Sequence, residues 1–240
     1  MLNERVVARA KACGLDVLVY APHFTRLPEL RARAERFSDD DLLVVPAREV
    51  FAGTWRDRRH LLAVGLAEPI PDFISLDGAF DAFRRQGAAV LVPHPLFLNV
   101  SLDAEEIRAH RERIHAVETH NLKLFEWQNR RARRIAHDVD RPGFGSSYAH
   151  LHGSVGEVWT TFEREIDSEL DLVEALRDGA PRTVYRRNGP WHAARGLAEF
   201  AHLGYENSWS KLDRMFLSGT EPTHPSHVAY GGRFDDVSVY

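Results

Sequence analysis

Residues 41–66, DLLVVPAREVFAGTWRDRRHLLAVGL, contain two short apolar runs, Leu42 to Val45 and Leu61 to Leu66, separated by the polar connection Gly53 to Arg59. Each run is too short for a helix and rich in branched side chains, so each reads as a buried strand, placed to pair with or neighbour the other. The same grammar extends outward in both directions. Toward the N-terminus, Asn3 to Cys13 reads as a helix stopped by Gly14, Asp16 to Tyr20 as a buried strand, and Pro28 to Phe37 as a second helix. Toward the C-terminus, Leu76 to Arg85 is amphipathic and ends at Gly87, Ala88 to Val92 is a buried strand, Ala104 to Arg113 a helix and Ala116 to Glu118 a brief strand. A long Arg-studded helix from Asn121 to Asp138, a return to the sheet at Arg141 to Ser146 and a helix from Ser168 to Arg177 follow. Strands alternating with helices predict an α/β barrel around a largely parallel sheet. Pro181, Pro190 and the Trp191 to Trp209 region predict a helical C-terminal annex, and the stretch from Gly219 an irregular tail.

At 240 residues the chain suits one α/β barrel or two small domains, and without a low-complexity linker or solenoid repeat one domain is the simpler account. Hydrophobic residues at 44% and charged residues at 28% place it with globular chains. A formal net charge of −4 with both signs interspersed leaves no basic stripe, so no stable general nucleic-acid binding is indicated. Cys13 is the single cysteine, which excludes an internal disulfide and a cysteine zinc cage. No signal-peptide pattern and no apolar run of membrane-spanning length is present, so the expected location is the cytoplasm, with no membrane partner.

The 13 histidines are the informative feature, because neutral imidazole is a common ligand for transition metals. In parallel α/β architectures functional side chains gather at strand ends. His23 follows the first run, Glu49 the second, His94 the run ending at Val92, and His150 the Arg141 to Ser146 segment, while His60 stands at the entry of its own run. Glu49, His60 and His94 make a two-His, one-carboxylate set, which leaves coordination positions open for water and substrate. Hydrolysis by a metal-activated water is therefore the leading chemistry, and it requires no Ser or Cys nucleophile. Arg26, Arg48 and Arg56, near predicted strand ends, are candidate phosphate partners because guanidinium matches phosphate bidentately.

Six segments in order resemble motifs of the PHP superfamily, named for polymerase and histidinol-phosphate phosphatase domains. They are the strand ending in His23, Pro46-Ala47-Arg48-Glu49, His60 eleven residues after that Glu, Val92-Pro93-His94-Pro95, Glu118-Thr119-His120-Asn121, and Ser147-Tyr148-Ala149-His150. The resemblance implies a distorted (β/α)7 TIM-like barrel over residues 1–165, followed over 166–240 by a helical PHP-associated extension and tail of the same domain. It also implies one to three divalent ions (Zn, Mn or Fe), with Glu49, His60 and His94 catalytic, His23 and His150 serving a further ion, and Glu118 and Asn121 at the substrate. The implied activity is phosphoester hydrolysis, on a nucleotide, a small phosphorylated metabolite or an RNA end.

Three departures accompany the resemblance. The family's first His-x-His strand is absent, and the reading expects a start upstream of Met1. Pro22 and Tyr148 stand where the family has Asp, and the ligand at Tyr148 is expected to be lost. One metal position keeps its full Glu49, His60, His94 set, a second keeps only Glu49, and a third keeps His23 and His150; His120 or His152 could replace a lost ligand, against which stands the reading of both as surface histidines. The competing reading is a catalytically degenerate PHP-like protein that binds metal or ligand. A third makes the aromatic C-terminal residues Trp191, Phe200, Tyr205, Trp209 and Phe216 a partner surface, against which stands their packing on the barrel.

Overall fold

The computed structural model describes residues 2–97, 100–205 and 222–239, so Trp209 and Phe216 lie outside the described residues. The chain order begins α1 (Glu4–Ala12), β1 (Val17–Tyr20), α2 (Leu27–Phe37), β2 (Leu43–Gly53), β3 (Arg58–Val64), α3 (Leu76–Arg85), β4 (Ala89–Val92) and α4 (Ala104–Ala109). It continues β5 (Ala116–Asn121), α5 (Glu126–Asp138), β6 (Gly143–Ser146), β7 (Val158–Phe162), α6 (Glu169–Arg177), β8 (Arg182–Arg186) and α7 (Pro190–Tyr205). No described helix is long and apolar enough to cross a membrane.

Strands β1 to β6 form one sheet in chain order, and β7 pairs antiparallel with β8 in a separate ladder. The sheet is mixed rather than largely parallel: β1–β2, β4–β5 and β5–β6 are parallel, but β2–β3 and β3–β4 are antiparallel. The reason is the connection between β2 and β3. Residues 54–57 leave no room for the crossover a parallel pair needs, so the two strands close as a hairpin. Gly53 makes the turn possible at φ +95°, where a Cβ would lie 2.3 Å from the Asp57 carbonyl oxygen.

Six strands at about 4.8 Å spacing would make a flat sheet roughly 24 Å wide. Yet the rings of His23 and His150, which follow the two edge strands β1 and β6, are 6.0 Å apart. The sheet therefore curls, although among the described residues it stays an open six-stranded curl rather than a closed ring of seven. A cleft of about 1940 Å³ separates β1 from β6 and β7 and reaches the rim where the two edges converge.

Both faces of the sheet are covered. On one, Val45, Ala47, Val64, Ala89, Leu91, Ala116 and Phe144 pack against Leu172, Val173 and Leu176 of α6. On the other, Val50, Leu61, Ala63, Val90 and Val117 meet Phe80 and Phe83 of α3, Ile107 of α4 and Ile135 of α5. Two-sided burial explains why the strands read as near-continuous apolar runs. Residues 222–239 are mostly turns, tied down where Thr223 O accepts from Asp72 N and Val237 O from Ser75 N, each at 2.8 Å, and they contribute Tyr230 and Phe234 to this second core.

Candidate metal centre

Strand direction assembles the site. β1, β2, β4, β5 and β6 run one way, so their C-terminal ends share a rim, and β3 runs against them, so its N-terminal half reaches the same rim. Glu49 lies inside β2, which continues to Gly53, rather than beyond its end. The strand survives the polar Arg48-Glu49 pair because each side chain finds a partner on its own face. In the hairpin register Phe51 opposes His60 and Glu49 opposes Leu62, which makes Glu49 and His60 diagonal neighbours on one face. Phe51 stacks on the His60 ring at 4.0 Å and fixes its plane.

His94 follows β4 with φ +33°, a left-handed backbone that costs a non-glycine residue energy and that the surroundings must hold. Its N–H donates to Glu118 Oε2 at 2.6 Å. Ser101 Oγ donates to His94 O at 2.6 Å and so accepts from His94 Nδ1 at 2.7 Å. The proton of the ring is thereby assigned to Nδ1, leaving the Nε2 lone pair directed at Glu49 Oε1, 3.1 Å away. Two acceptors at that distance are unfavourable unless a proton or a cation lies between them.

Glu49, His60 and His94 are all buried, and each offers a donor atom within 4.8 Å of the others. His60 Nδ1 is 3.0 Å from Glu49 Oε1, and His60 Nε2 is buried without a hydrogen-bond partner among the described residues. His23 Nδ1 approaches Glu49 Oε2 at 3.1 Å without hydrogen-bond geometry. Burial raises the Glu49 carboxyl, but the opposing charges of His23 and His60 and the hydrogen bond with His60 win and hold it well below the usual carboxylate range. Burial pushes His60 down to about 4 against the pull of Glu49. Near neutral pH the pair is thus carboxylate and neutral imidazole, the forms that ligate metal.

His150 sits across from His23, pushed down to about 3 by burial and by the nearby Lys123 charge. Glu118 and Asn121 are buried together, Asn121 Nδ2 donating to Glu118 Oε2 at 3.0 Å, and burial raises the Glu118 carboxyl. The three arginines lie elsewhere. Arg48 points to the opposite face of β2, fully buried with Asp72 at 3.0 Å. Arg26 caps α2 and pairs with Glu29, and Arg56 is exposed in the hairpin turn. His152 is exposed, and His120 is half-buried within β5 and held near 4 by burial.

Three residues that the motif reading did not assign to the site are built into it. Tyr148 OH lies 3.0 Å from Glu49 Oε1. The buried Lys123 places Nζ 2.5 Å from His150 Nδ1 and 4.4 Å over the Tyr148 ring. Glu199 of α7 is fully buried and accepts from the backbone N–H groups of His150 and Leu151, at 3.1 and 2.8 Å, which anchors the loop after β6. No strand-end signal marks Glu199, and Lys123 lies two positions beyond the motif ending at Asn121.

The chain resembles known proteins in fold and in one stretch of sequence. It superposes on PsfC from Pseudomonas syringae with a TM-score of 0.62 at 14% identity, covering 83% of this chain and 89% of that one. It also superposes, with a TM-score of 0.57 at 18% identity over 82% of this chain and 65% of the other, on a two-domain protein from Bacteroides vulgatus described as containing a predicted PHP-like metal-dependent phosphoesterase. No curated protein sequence matches it. Residues 126–181, from α5 through α6, match the family described as PHP-associated. That match lies on a curled α/β sheet whose fold is shared with these two structures and whose rim carries a Glu/His/His cluster.

Proposed function

We propose that the chain is a metal-dependent hydrolase of phosphate esters, with a divalent ion (zinc, manganese or iron) held by Glu49, His60 and His94. The observation that supports this is the convergence of three buried donors at the mouth of an open cleft. A bound ion supplies a water that ionises near neutral pH and a Lewis acid for the phosphoryl oxygen. Ser101 fixes the His94 tautomer, and Phe51 fixes the His60 ring. Lys123, rather than Arg26, Arg48 or Arg56, provides the buried positive charge at this rim and suits a phosphoryl oxygen. His23 and His150 are the donors left for a further ion. The bound substrate is a nucleotide, a small phosphorylated metabolite or an RNA end, reached through the cleft.

The test is a screen of phosphomonoesters and phosphodiesters with metal-loaded protein beside Glu49→Gln. Turnover in the parent that disappears in a folded Glu49→Gln supports the reading. A second reading, metal binding without catalysis, is favoured by the Tyr148 hydroxyl sitting directly on Glu49. It predicts metal uptake with no turnover on any phosphoester.

A further inference from the structure

The position where the motif comparison suggests a lost ligand is where the donor atoms crowd most closely. Tyr148 OH lies 3.0 Å from Glu49 Oε1, 3.1 Å from Glu49 Oε2 and 3.2 Å from His94 Nε2. The ring is held in place: it stands edge-on to His94 with centroids 5.2 Å apart, and Lys123 Nζ covers its face. Its backbone has φ +45°, a conformation that a bulky residue keeps only when its surroundings impose it. Two neighbouring contacts supply that constraint: Tyr148 N donates to Ser146 Oγ at 3.1 Å, and Glu199 clamps the next turn of the loop. The hydroxyl is therefore aimed at the centre by the fold.

A proton count decides what it is aimed at. The phenol brings one proton, the Glu49 carboxylate brings none, and His94 Nε2 brings none because its ring proton faces Ser101. That one proton satisfies one of the three atoms that Tyr148 faces, and His60 Nδ1, 3.0 Å from Glu49 Oε1, is a second donor to that oxygen alone. A cation placed among them satisfies all of them.

We infer that Tyr148 is the fourth protein ligand of the metal centre, which makes the donor set Glu49, His60, His94 and Tyr148; the inference rests on the metal-centre reading above. On binding, the Tyr148 O–H bond breaks and its proton leaves to solvent, while an oxygen lone pair forms the bond to the ion and no electron is transferred. Phenolate and carboxylate are hard oxygen donors, and with two imidazoles they suit ferric iron. Four protein ligands fill a tetrahedral site. Only an ion that accepts five or six ligands, such as iron or manganese, then keeps a position for water or substrate.

Ferric iron bound by phenolate absorbs visible light through charge transfer from the phenolate, which imidazole and carboxylate ligands do not provide. The experiment loads the full chain with ferric citrate, removes excess iron by gel filtration, and records iron content, visible absorption and resonance Raman spectrum for the parent and Tyr148→Phe. The expected parent is coloured, with phenolate vibrations enhanced in the Raman spectrum. Tyr148→Phe should retain iron and its unfolding midpoint and lose the colour. Stoichiometric iron in a colourless parent, or a band that survives Tyr148→Phe, overturns the ligand and leaves the Glu49, His60, His94 centre standing. A parent that holds zinc but takes up no ferric iron overturns the tyrosinate centre, and one that takes up no metal of any kind overturns the metal centre with it.

Discussion

Replacing Arg48 with methionine should destabilise the fold severely while leaving the metal donors in place. Arg48 has no exposed surface, and its Nη2 donates to Asp72 Oδ1 at 3.0 Å, the same oxygen that accepts from Phe51 N at 2.9 Å. Methionine preserves much of the volume but strands the Asp72 charge in the core. Breaking a buried ion pair from one side costs about 3–5 kcal/mol. For a chain of this size each kcal/mol lowers Tm by about 2–4 °C, so the expected drop is about 6–20 °C. In the double variant Arg48→Met, Asp72→Asn the stranded charge is gone and the acceptor for Phe51 N is kept, so much of the loss should be recovered. Thermal unfolding by circular dichroism, with metal content measured on the same samples, reads both effects. A single variant within 1 °C of the parent, or a double variant no better than the single, would refute the assignment of Arg48 to the fold rather than to substrate.

Two further outcomes follow from the site. Ser101→Ala removes the acceptor that fixes the His94 tautomer, and loss of such a supporting hydrogen bond weakens metal affinity by about 10–100-fold; competition with a chromophoric chelator measures it, and an unchanged affinity would remove Ser101 from the site. In the metal-free chain, His60 titrates near 4 when folded against 6.5 ordinarily, so between those values the unfolded chain binds a proton that the fold refuses. Stability from this group is complete above pH 6.5 and falls by about 3 kcal/mol as pH drops toward 4. His120 and His150 act in the same direction, whereas the raised Glu118 opposes them. Urea unfolding of chelator-treated protein should show a lower midpoint at pH 5 than at pH 7.5, and an equal or higher midpoint would contradict the buried neutral His60.

Much of the rim was legible because the donors that matter lie within or beside apolar runs, and strand direction then brings them together. Leu76 to Arg85 was readable to the residue, since Ser75 caps the helix and one face is wholly apolar. Three features were not. β2 runs past Val45 to Gly53 because the partners of Arg48 and Glu49, Asp72 and the histidines, are distant in sequence and invisible to a local pattern. The helix read from Asn121 begins only at Glu126, because Asn121 finishes β5 and its N–H is taken by Asn129 Oδ1 at 3.0 Å. Tyr148 stands where the motif has Asp and so counts there only as a missing ligand, and Lys123 lies outside the motif altogether. The chemistry of the site depends on what stands there instead.

Whether Glu49, His60 and His94 hold a metal ion is decided by elemental analysis of protein purified without chelator, beside the Glu49→Ala, His94→Ala double variant. The expected result is stoichiometric metal in the parent and its loss in a variant that still folds. A parent free of metal, or a folded variant that retains the parent's full content, would contradict it.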